Sequence, residues 1–70
     1  MPRELEAKVR RELEKIVEEG ASERTSLSIL QAVDRTTGCG VTQAKRVMFR
    51  MLNDGALKLN REFYLVSGKG

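Results

Sequence analysis

The stretch GCGVTQAKRVMFRMLNDG, Gly38 to Gly55, opens and closes on glycine and mixes Lys45, Arg46 and Arg50 with apolar residues. Projected at about 100° per residue, Ala44, Val47, Met48, Met51 and Leu52 fall in one sector, with Thr42, Gln43, Arg46, Arg50 and Asn53 opposite. This predicts a helix capped by Thr42 and running to about Asn53 or Asp54. Its apolar sector is a core face. Its outer sector joins two arginines to two amide side chains, with no acid before Asp54. Arginine and glutamine near the front of a helix can bond base edges bidentately in a major groove, so this face predicts nucleic-acid contact. Phe49 projects at the margin of the apolar sector and is expected at the core edge; exposed beside Lys45, it would instead be a partner-binding residue.

Upstream, Gly38 is placed to end a preceding helix with positive φ, and Cys39 and Gly40 complete a tight connection. That helix is expected from about Leu27 to Thr36, with Thr25 or Ser26 as its N-cap and Ile29, Leu30 and Val33 buried. Two helices joined by so few residues cross steeply, which is helix-turn-helix geometry. Earlier still, PRELEAKVRRELEKIVEEG places Leu5, Val9, Leu13, Ile16 and Val17 on one helix face. Pro2 suits its first turn and Gly20 a left-handed cap. Its other face, with Glu4–Lys8 and Glu6–Arg10 at i, i+4, is read as solvated surface, and the helix is short for a coiled coil. Glu23–Thr25 leaves room for a very short strand.

Downstream, Asp54 and Gly55 break the helix, and ALKLNREFYLV offers Leu57, Leu59, Phe63 and Leu65 to one buried face. A two-residue Asn60-Arg61 turn would mix the faces. A three-residue Asn60-Arg61-Glu62 loop pairs Leu59 with Phe63 and Leu57 with Leu65, so register favours it. Asn60 and Arg61 would then sit at the hairpin tip, with Lys58 on the outer side.

Composition limits what such a chain can do. Its 70 residues, 40% apolar and 33% charged, suit one small soluble domain over residues 1–70. A core of this size supplies roughly 3–5 kcal/mol, so economical packing or self-association is expected. No apolar run approaches the roughly 18 residues a membrane span needs. The charged start is unlike a secretory signal, and one cysteine forms no internal disulfide, so a cytoplasmic protein is expected. With no histidine and one cysteine, neither a zinc cluster nor a Cys-His or Ser-His-Asp pairing can be assembled. No enzyme activity, cofactor, metal or small-molecule ligand is expected. Gly38-Cys39-Gly40 lacks the Lys-Ser/Thr of a phosphate loop and reads as a turn, with Cys39 a turn residue rather than a redox sensor.

Charge is unevenly spread over the net +3. Residues 1–20 carry five Lys/Arg against six Glu, a balance of −1, whereas residues 41–70 carry six against two acids, +4. That asymmetry fits a polyanion-binding face beside a neutral scaffold.

Helix, short strand, helix, tight turn, helix and β-hairpin, with GVTQAKRVMFRMLNDGALKLNREFYLV as its centre, resembles the winged helix-turn-helix family. The resemblance covers almost the whole chain. It implies an α+β winged helix of three helices, a short strand and a C-terminal hairpin wing. It also implies a double-stranded DNA partner and a role in transcriptional regulation, with the helix of about 42–54 in the major groove. By the resemblance, Thr42, Gln43, Lys45, Arg46 and Arg50 face the groove or its phosphates, and Lys58, Asn60 and Arg61 are wing contacts. The family also includes modules that bind protein or ribosomal RNA, which is the alternative expectation. A homodimer, if formed, would use the first helix or the sheet edge at Val66.

Overall fold

The computed structural model describes residues 2–19 and 25–68. Three helices, α1 (Arg3–Glu18), α2 (Ser26–Thr37) and α3 (Val41–Asp54), precede strands β1 (Leu57–Leu59) and β2 (Leu65–Ser67), which pair antiparallel. This is an α+β layout compatible with a winged helix. The Gly20 cap and the greater part of the strand expected at Glu23–Thr25 lie outside the described residues. No helix among the described residues is long and apolar enough to cross a membrane.

The first two helices follow their sequence signals. Pro2, in extended conformation, stands just before α1, and Glu4 and Glu6 lie in its first turn, where carboxylates favour the positive end of the helix. In α2, Thr25 is the N-cap: its hydroxyl oxygen accepts the Ser28 N–H at 3.1 Å. Gly38 ends α2 in the left-handed region, φ 71°, and its N–H donates to the Asp34 carbonyl at 2.6 Å.

The start of α3 corrects the expected Thr42 cap. Helix begins one residue earlier, at Val41, and the N-cap is Gly40, whose φ of 86° and ψ of 146° suit a residue without Cβ. A glycine has no side chain with which to cap. Asp34, one turn before the end of α2, supplies the acceptor instead: its Oδ1 takes the Gly40 N–H at 2.8 Å. The connection is braced further by Thr37, whose hydroxyl donates to the Val33 carbonyl at 2.8 Å and accepts the Cys39 N–H at 3.3 Å.

The hairpin also departs from expectation. Leu59 pairs with Leu65 and Leu57 with Ser67, not Leu59 with Phe63 and Leu57 with Leu65. The loop does hold three residues, but they are Arg61, Glu62 and Phe63. Asn60 fixes that choice. Its Oδ1 accepts the N–H groups of Glu62 and Tyr64, both at 2.9 Å, while its backbone N–H donates to the Tyr64 carbonyl and its carbonyl accepts from Phe63. This side-chain-to-backbone turn outweighs the pairing of four apolar residues. Phe63 consequently takes the loop position with φ 65° and leaves the buried face.

Val9, Leu13 and Val17 of α1, Ile29, Leu30 and Val33 of α2, and Ala44, Val47, Met48 and Met51 of α3 close over Leu57 and Leu65 in one core. The apolar faces predicted for the helices are therefore the ones buried, with Ile16 and Leu52 half-buried against them. Removing a Leu, Ile or Met side chain of this kind from water contributes about 1.5–3 kcal/mol, which is how a short chain sustains a core. Two ion pairs tie α1 to α3: Glu6 to Arg50 at 2.6 Å and Arg10 to Asp54 at 3.1 Å. Each pair is four residues on from the other along both helices, so α1 and α3 run side by side in the same sense there. The i, i+4 pairing expected of Glu6 with Arg10 gives way to these contacts between helices.

Candidate nucleic-acid interface

With Ala44, Val47, Met48 and Met51 turned into the core, the opposite side of α3 has to face outward. Thr42, Lys45, Arg46 and Arg50 are exposed on it and Gln43 is half-buried. Lys58 on β1 and Arg61 in the hairpin loop are exposed as well, and Asn60 is half-buried. The fold thus assigns the eight expected contact residues to α3 and the hairpin, but their roles separate.

Lys45 and Arg46 stand at the front of the helix, next to its N-terminus. The Lys45 ammonium lies 5.8 Å from the centre of the Phe49 ring, a cation–π arrangement that holds the charge near the helix surface. Arg50 is engaged: its Nη1 donates to Glu6 Oε1. Asn60 spends its carbonyl oxygen on the loop, so its part is to shape the hairpin tip. Arg61 projects from that tip within the turn that Asn60 closes.

Electrostatically the face is one-sided. The one acid at the end of α3, Asp54, is neutralised by Arg10 from α1, and its Oδ1 also accepts the Ala56 N–H at 3.0 Å. Among the described residues, no group of three or more His, Cys, Asp or Glu side chains is placed to hold a metal ion.

Phe49 corrects the expected core-edge position: it is 53% exposed. Its angle on the helix lies beyond Leu52, on the side away from the Arg50 and Asp54 contacts with α1. Two residues not singled out in the sequence set the site: Glu6 holds Arg50 and Asp34 caps α3. Leu27, exposed on the first turn of α2, is also new but stands apart from this face. A signal existed for Leu27, which lies off the Ile29, Leu30, Val33 stripe. None existed for Glu6 or Asp34, whose partners are set by how helices pack.

Compared with known protein families, characterised proteins and solved structures, the chain matches none of them.

Proposed function

We propose that the protein binds double-stranded DNA as a winged helix-turn-helix module, with α3 in the major groove and the β1–β2 hairpin as the wing. The observation that supports this reading is the outward face of α3. It presents Thr42, Gln43, Lys45 and Arg46 with no free acid, whereas the outward face of α1 interleaves both signs. A solvated face has no need to exclude one sign; a face meeting phosphates does. Gln43 and Arg46 are the base-reading groups, and Lys45, Lys58 and Arg61 are phosphate contacts. Regulation would follow from occupancy: the bound protein marks or blocks a stretch of DNA.

The test is a titration of labelled duplex, single-stranded DNA and structured RNA over a range of salt. Duplex should bind most tightly, and its affinity should fall steeply with salt. Arg46→Ala should cost about 1–3 kcal/mol of duplex affinity and relax preference at one base position, with the melting temperature unchanged. No duplex binding by folded protein at about 50 mM salt would remove the DNA reading.

A further inference from the structure

The exposed large apolar residues among those described are Leu27, Phe49, Leu59 and Phe63, at 58%, 53%, 46% and 74% exposure. They come from α2, α3, β1 and the hairpin loop, yet all four line one groove of about 420 Å³. Apolar residues scattered singly over a surface are ordinary; convergence of all of them from four segments is not. Leu30, Met48 and Leu52 form the groove floor, continuous with the core. Among the described residues, Lys45, standing over Phe49, is its one charged lining residue. Phe63 adds a separate observation. A bulky residue with φ of 65° is strained, and here the strained position holds an aromatic ring at the groove wall.

We infer that this groove docks an amphipathic helical segment of another protein, bringing apolar anchors at i, i+3 or i+4 for the groove and acidic side chains for Lys45 and neighbouring Arg46. Charge complementarity selects that occupant. Among the described residues the lining holds a cation and no anion, and residues 41–70 carry a balance of +4. A second copy fits poorly on two counts. The ten described residues of the lining fall short of the roughly 20–30 per side that a stable protein interface uses. The core faces of α1, α2 and α3 are buried, so among the described residues a copy has no further apolar helix stripe to lay in this groove. The volume lies within the range of about 300–1,000 Å³ in which sites hold a few anchoring groups. Helix-in-groove recognition uses a short segment of that kind.

The probe is a labelled peptide of about 15 residues with Leu at i, i+3, i+4 and i+7 and Glu at its polar positions, compared with a partner peptide carrying Lys instead. The acidic peptide should bind about tenfold more tightly or better, and Lys45→Glu should reverse the preference. Leu27→Ser, at an exposed site outside the proposed DNA face, should weaken peptide binding about tenfold or more while leaving duplex affinity unchanged. Amide shifts on the wild-type protein should map to the groove. Equal affinity for both peptides, binding indifferent to Leu27→Ser, or shifts confined to another surface would each overturn the inference. Concentration-dependent dimerisation abolished by Leu27→Ser would assign the groove to a second copy and overturn it too.

Discussion

Replacing Glu6 by Gln tests the proposed interface from the side of the scaffold. Glu6 holds the Arg50 guanidinium at 2.6 Å, with Arg50 66% and Glu6 25% exposed, so in the free protein a DNA phosphate must displace a carboxylate to gain this arginine. Four other cations, Lys45, Arg46, Lys58 and Arg61, are exposed on α3 and the hairpin. At about 0.9 per neutralised phosphate, four contacts give a log–log salt slope of about −3.6, and a released Arg50 steepens it to about −4.5. Over a fourfold rise in salt, from about 50 to 200 mM, that one contact corresponds to a further loss of about 3.5-fold in affinity. Stability should scarcely respond. An ion pair this exposed contributes about 0–1 kcal/mol, a few degrees of melting temperature at this chain length. Fluorescence anisotropy of a labelled duplex, titrated at several KCl concentrations, reads the slope directly. Glu6→Gln should bind more tightly at low salt and with the steeper slope, and adding Arg50→Ala should return it to about −3.6. The same slope in wild type and Glu6→Gln would refute the reasoning, since Glu6 would then not control whether Arg50 reaches a phosphate: a shared slope of about −4.5 means that it does in both proteins, one of about −3.6 that it does in neither.

Met51 is fully buried on α3, so Met51→Ala should lose about 2–5 kcal/mol in urea unfolding through the cavity it leaves. Phe63→Gly should raise the melting temperature by a few degrees: relief of about 1–2 kcal/mol of left-handed backbone cost exceeds the roughly 0.5–1 kcal/mol entropy of glycine. Phe63→Ser keeps the strained φ, so it should show no such gain. Asn60→Ala removes the acceptor of two loop N–H groups and should cost about 1 kcal/mol, with amide resonances of Glu62 and Tyr64 shifting first.

Helical periodicity made the core legible: the apolar sectors of three helices are the faces that close over Leu57 and Leu65. Glycine chemistry made the helix ends legible, since Gly38 and Gly55 both hold positive φ where the sequence placed helix termination. Apolar matching alone does not encode the hairpin register, because the hydrogen-bonding capacity of Asn60 competes with it; this single side chain, with two acceptor contacts, moves the pairing by two residues. Phe63 and Leu59 consequently surface in the groove instead of the core. At the candidate interface, the outward placement of Arg46 follows from its angle on α3, whereas Lys45, outside that outer sector, is expected there only from the resemblance. The engagement of Arg50 does not follow from its angle, because it depends on how α1 lies against α3, and no local pattern encodes that.

Asp34 accepts twice, with its carbonyl from Gly38 and with its carboxylate from Gly40. One residue therefore closes α2 and opens α3, and unwinding the last turn of the first withdraws the cap of the second. The two helices are expected to open as a unit rather than fray separately, with the Gly38 and Gly40 amides showing one shared protection factor in hydrogen exchange. Thermal motion would then present the front of α3 either correctly angled or not at all, so encounters with a partner would meet a rigid probe.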